Sequence, residues 1–122
     1  MSLHKLFYIK NIKKNEDSSF VEVLVELNAK HEVFEGHFPG NPVLPGVCVI
    51  DIIKTIVSQV MSCKAKLTHA QNIKYQHPIV PSEYHLLVLA CQINLEDNNY
   101  NVKVEVSNGT KKFCSFKGTF SC

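Results

Sequence analysis

The sequence predicts an α+β domain in which one antiparallel sheet wraps a single central helix. Three observations carry this. Period-two alternation marks residues 20–27 and recurs through the C-terminal half, one long apolar segment at residues 46–63 has helical character, and 122 residues with 45% hydrophobic content suit one globular domain with one core. No internal repeat or low-complexity tract competes, and no room is left for a second domain, so residues 1–122 are expected to form a single unit.

The elements follow in order. Residues 3–12 (LHKLFYIKNI) are aromatic and β-branched enough for a first strand, although their alternation is poor. Glu16, Asp17 and Ser18 make a turn. In residues 20–27, Val21, Val23, Val25 and Leu27 face one way and Glu22 and Glu26 the other, as in a half-buried strand. In residues 46–63 the polar residues Asp51, Lys54, Thr55, Ser58 and Ser62 recur at helical spacing, with Pro45 and Gly46 marking the start. The β-branched content of this segment lowers its helix propensity, but it is too long for an ordinary strand, and so apolar a helix has to be wrapped by other elements. Later, Leu87, Leu89, Cys91, Ile93 and Leu95 alternate up to the turn-forming run from Glu96 to Asn99. Tyr100, Val102, Val104 and Val106 then alternate with polar residues, Asn108-Gly109 predicts a tight hairpin with positive φ angles, and residues 112–120 pair back. Two strands, a long helix and three or four further strands, with the sheet curled around the helix, make a hot-dog fold.

Composition excludes several classes. A net charge of +2 is too weak for a nucleic-acid surface. The N-terminal stretch is charged and lacks a signal-peptide core, and the most apolar run, residues 43–61, contains Asp51, Lys54, Gln59 and Pro45, so neither export nor a membrane span is expected. Five cysteines form an odd set without a CxxC pair, which signals neither a zinc site nor a complete disulfide framework. Cys48, Cys63, Cys91 and Cys114 read as small buried hydrophobes in a reducing cytoplasm.

The chemistry concentrates in residues 31–51, HEVFEGHFPGNPVLPGVCVID, where three Gly and three Pro stiffen the passage from strand to helix. Composition alone also fits a plain turn. The motif GHFPGNPVLPG, followed five positions on by an acid, resembles the active-site signature of the β-hydroxyacyl-(acyl carrier protein) dehydratases of fatty-acid synthesis. HPIVPSEY at 77–84 is similar to that family's proline-containing stretch after the helix, and the likeness extends over roughly residues 5–120.

The resemblance implies roles. His37 would remove the α-proton of the acyl thioester, a task suited to an imidazole whose ordinary pKa is ~6.5. Asp51 would hold or protonate the departing 3-hydroxyl. Backbone amides around Gly46 and Val47 would face the thioester carbonyl, where enolate charge develops, and one such donor is worth ~3 kcal/mol of barrier. Phe38, Val43 and Leu44 would wall the acyl chain, although each also suits core packing. His4, His31, His69, His77 and His85 read as structural or surface residues. The family implies no cofactor or metal, a carrier-protein partner whose acidic surface would meet lysines such as those at 10, 13, 14, 111 and 112, and a homodimer or dimer-based oligomer with shared sites.

The chain departs from the pattern at three points. It has Asp51 where the common GHFPG-type enzymes have Glu, Asp being typical of relatives that also isomerise the double bond. Thr55 replaces the family's Gln, and Ile52, Ile53 and Lys54 replace small residues. Rival readings are a hot-dog thioesterase, whose motifs are not seen, a non-catalytic acyl-binding subunit, against which His37 and Asp51 argue, and a transferase using Cys48 near the helix start.

Overall fold

The computed structural model describes residues 5–34 and 43–122. Six strands, β1 (Phe7–Lys14), β2 (Phe20–Leu27), β3 (Lys66–Tyr75), β4 (Leu86–Glu96), β5 (Asn99–Ser107) and β6 (Lys112–Ser121), form one sheet in the order β1-β2-β4-β5-β6-β3. Every neighbouring pair is antiparallel. Between β2 and β3 the chain forms a short 3-10 turn (Glu32–Phe34) and the helix α1 (Gly46–Met61).

Register explains why the alternating residues make one core. Val21 pairs with Cys91, Cys91 with Val104, and Val104 with Phe116. In the next row Val23 pairs with Leu89 and Leu89 with Val106. These rows present a continuous apolar face, and α1 lays Cys48, Val49, Ile52, Ile53, Ile56 and Val57 against it, all buried. Each fully buried Ile or Val contributes about 1.5–3 kcal/mol of transfer free energy. The helix is wrapped on one side only. Val47 stays 71% exposed, and Thr55 and Gln59 on the same side are also exposed.

Sequence periodicity anticipates β2, β4, β5, β6 and α1 to within one or two residues at each end, and the departures have local causes. β1 starts at Phe7 and runs to Lys14, and a bulge between Ile9 and Asn11 breaks its register, so Phe7, Ile9 and Ile12 all pack on the core despite their uneven spacing. β3, the first strand after the helix, brings the strands that follow it to four. Lying at the sheet edge and mostly exposed, it lacks alternation and shows two register shifts against β6.

The tight turn with two positive φ angles lies at Asp97 and Asn98 (φ 51° and 65°), between β4 and β5. At Asn108-Gly109 only Gly109 is left-handed. The Asn108 side-chain oxygen accepts from the amides of Thr110 and Lys111 and opens the connection into a four-residue loop, 108–111.

One cysteine expectation is overturned. Cys48, Cys91 and Cys114 are buried and free, but Cys63 is disulfide-bonded to Cys122. Ser62 ends α1 in the left-handed conformation and Cys63 N–H donates to the Ser58 carbonyl, which turns Cys63 back toward the start of β3. There Lys66 pairs with Ser121, so Cys63 and Cys122 come within 5.6 Å between Cα atoms. Residues 59 positions apart carry no sequence signal of such a meeting.

Candidate active site

The site is approached through the turn that closes β2. His31 is buried at 7% exposure. Its amide donates to the Asn28 carbonyl, its carbonyl accepts from Phe34 N–H, and its Nδ1 accepts from Val33 N–H at 3.0 Å. That histidine therefore shapes the backbone and buries Val33 and Phe34, in line with its structural reading. His37 and Phe38, which the sequence assigns to the base and an acyl wall, lie outside the described residues.

Beyond residue 42, Val43 is half-buried and Leu44 buried, its amide donating to the Ile79 carbonyl at 2.8 Å. Leu44 thus serves the core and also reaches the proline-containing stretch singled out by sequence. Pro45 is the N-cap of α1 in extended conformation. Proline supplies no capping side chain, the first turn carries no acid, and among the described residues no side chain makes a capping hydrogen bond at the amino end of the helix. The amides at Gly46 and Val47 belong to the unpaired set that every helix start presents, at the positive end of the dipole.

Asp51 lies one helical turn beyond Val47 on the same exposed side of α1 and is half-buried. With Thr55 and Gln59 it forms one wall of an open groove of about 620 Å³, whose other wall is Lys5, Phe7, Tyr8 and Ile9. Among the described residues its carboxylate takes part in no ion pair, leaving its oxygens available to a ligand. Thr55 does not substitute for a glutamine amide. Its hydroxyl donates to the backbone carbonyl of Asp51 at 2.9 Å.

Cys48, the alternative nucleophile, is 2% exposed, and burial, reinforced by the neighbouring Asp51 carboxylate, pushes its thiol pKa up. A thiol so placed stays protonated at neutral pH, the opposite of what nucleophilic catalysis needs.

A second cleft, about 260 Å³, adjoins the helix start and is lined by Leu44, Val49, Tyr75, Gln76, His77, Pro78, Ile79 and Cys114. Tyr75 was not singled out by sequence, although it stands two residues before HPIVPSEY. The signal that could have found it is Gly46. A Cβ there would sit 2.5 Å from the Tyr75 hydroxyl oxygen and 2.8 Å from Cζ, so glycine admits the ring in this place at the start of α1 and any larger residue would push it aside. Another hollow, about 350 Å³, includes Gln92, Lys103 and Lys117 and has no residue of α1 in its lining.

A curled antiparallel sheet around one helix, with an acid on the open side of that helix, is a hot-dog fold, and the family comparison places this chain among its dehydratases. The model of the ApeI-like family, ApeI dehydratase, matches residues 11–117, and the chain belongs to that family. It is 25% identical to a 3-hydroxyacyl-[acyl-carrier-protein] dehydratase FabZ of Levilactobacillus brevis, over 96% of this chain and 83% of that protein. It is 32% identical to the FabZ of Lactobacillus helveticus, over 73% of this chain and 64% of that one. In fold it is similar to a chain of the dehydratase heterocomplex ApeI:P from Xenorhabdus doucetiae, with a TM-score of 0.69 at 18% identity, over 94% of this chain and 97% of that one. Among the described residues no helix is long and apolar enough to cross a membrane.

Proposed function

We propose that this protein dehydrates 3-hydroxyacyl thioesters carried on acyl carrier protein to trans-2-enoyl thioesters, in fatty-acid or related acyl or polyene synthesis. The observation that carries the reading is the placement of Asp51. It is half-buried and free of ion pairs among the described residues, one turn below a helix start that no side chain caps, in a chain whose preceding segment reads GHFPGNPVLPG. His37 in neutral form takes the α-proton, and the C–H electrons pass into the thioester as an enolate whose oxygen rests on the amides of Gly46 and Val47. The enolate then re-forms the carbonyl and makes the Cα–Cβ double bond as the Cβ–O bond breaks. The leaving hydroxyl takes a proton from the Asp51 carboxyl and departs as water, after which the imidazolium returns its proton to the carboxylate.

The carrier protein is the proposed partner. Of the lysines that sequence offers to it, Lys112 is engaged by Glu105 at 3.0 Å, Lys10 faces Glu26 at 3.9 Å, and Lys111 lies 5.3 Å over the Tyr84 ring. Lys13 and Lys14 are exposed on β1 and form no ion pair among the described residues, so they are the better anchors for an acidic surface. The proposed working unit is at least a dimer with shared sites, since the exposed Val47 and the unpaired outer edge of β3 are surfaces a second chain would cover.

The test is incubation with 3-hydroxyacyl carrier-protein thioesters of graded length, following loss of water by mass, beside the coenzyme A forms at low and physiological salt. Enoyl product that forms faster from the carrier form, with the advantage shrinking as salt rises, is expected. Release of free acid without enoyl product would instead identify a thioesterase.

A further inference from the structure

We infer that Tyr75 sets the length of acyl chain the site accepts, by roofing the cleft beside the start of α1. The inference rests on the reaction proposed above, because it assigns a wall to that same site. Tyr75 is 55% exposed, yet its backbone is fixed and its side chain has a place made for it. As the last residue of β3 it pairs with Cys114, the amides of the next two residues, Gln76 and His77, both donate to the Phe113 carbonyl at 2.8 and 3.1 Å, and its ring lies flush on Gly46, where a Cβ would meet it at 2.5 Å. The sheet thus fixes the backbone of Tyr75, and the missing Gly46 side chain lets its ring close over the helix start as a wall.

Beneath it the floor of the cleft is Leu44, Val49, Ile79 and Cys114, all buried and apolar in character, with the exposed Gln76, His77 and Pro78 completing the lining. Burial pushes the Cys114 thiol up to about 11, so that wall stays uncharged at neutral pH. At about 260 Å³ the cleft falls just short of the ~300–1,000 Å³ usual for ligand pockets. Leu44 and Val49 flank the two residues whose amides would hold the thioester oxygen. An acyl chain leaving that point meets this cleft first, and a chain longer than the cleft must displace the ring.

The experiment compares the full chain with Tyr75→Ala, Tyr75→Leu and Tyr75→Phe, measuring kcat/KM over carrier-protein thioesters of graded length. The affinity of the same proteins for saturated, unreactive acyl thioesters is measured in parallel. The wild-type protein is expected to discriminate against long chains. Tyr75→Ala and Tyr75→Leu raise the long-to-short ratio by roughly ten-fold or more, the low end of what one methylene's fit is worth in an apolar pocket. Tyr75→Phe, which keeps the ring, keeps the wild-type ratio. A length profile unchanged in both truncations, or shifted as far by Phe as by Ala, overturns the role of Tyr75. Failure of the wild-type protein to dehydrate any thioester would sink the proposed reaction, and the binding profile would still decide whether Tyr75 limits chain length.

Discussion

Removing the link between Cys63 and Cys122 is expected to lower stability by an amount the chain itself bounds. The two cysteines are separated by 59 positions, and closing a loop of that length removes unfolded-chain entropy equivalent to about 4 kcal/mol, with ~2–4 kcal/mol the typical yield. A chain of 122 residues unfolds with an entropy of about 0.26 kcal/mol per degree, so the melting temperature should fall by roughly 8–16 °C. The assay is thermal unfolding of the protein with and without reductant, beside Cys122→Ser, whose melting should match the reduced protein and ignore reductant. Thiol titration under denaturing conditions should count three thiols before reduction, those of Cys48, Cys91 and Cys114, and all five cysteines after it. Five thiols before reduction, in protein purified without reductant under air, would refute the pairing. A melting point indifferent to reductant, with three thiols counted, would refute the entropy reasoning instead.

Other consequences are as direct. Asp51→Asn and His37→Ala should each reduce dehydration by about 10²–10⁴-fold; for Asp51→Asn, on the exposed side of α1, the cost in stability should stay within about 0.5 kcal/mol, as turnover and melting curves would show. Mixing those two inactive proteins should restore about half of wild-type activity per heterodimer, since with shared sites one site collects both defects and the other none. No recovery, in samples where mass spectrometry shows mixed dimers, would place both residues of each site on one chain. Alkaline pH should destabilise the fold. Burial raises Cys91 to about 12 and Cys114 to about 11 from an ordinary 9.0, so the unfolded chain ionises first, and the stability present below pH 9 is lost as pH rises toward 11–12. Melting temperature against pH should fall less steeply there in Cys114→Ala than in the wild-type protein.

The sequence was most legible where burial imposes a period. Val21, Val23 and Val25 alternate because one side of β2 meets the core and the other does not, and Leu89, Cys91 and Ile93 repeat that logic on the neighbouring strand β4. Legibility failed where an extra residue or an edge relaxed the constraint. The bulge after Ile9 shifts the phase of β1, and β3, exposed along most of its length, has little reason to alternate. The hairpin at Asn108 failed differently, because a dipeptide that suits a tight turn also suits an Asx turn when its side chain can reach two amides.

The same contrast divides the candidate site. Its proposed catalytic groups fall within 15 positions, from His37 to Asp51, in a Gly- and Pro-rich stretch that leads into a helix start, and such a stretch is readable as a motif even where two chains share its groups between their sites. The walls come from elsewhere. Tyr75 arrives from the end of an edge strand, Ile79 from the stretch behind it, and Phe7 and Tyr8 from β1 across the groove, each brought in by sheet order rather than by sequence distance. Gly46 is the one point where the two sets meet in the sequence. Its missing side chain is at once part of the helix start that the motif specifies and the vacancy that Tyr75 fills. Chemistry and chain-length selection can therefore vary separately in a fold of this kind. On the proposed reaction, changes among residues 37–51 would alter the chemistry, and changes at Tyr75 would alter what reaches it. An alanine at position 46 would touch both, by pushing aside the Tyr75 ring beside the amides proposed to hold the thioester.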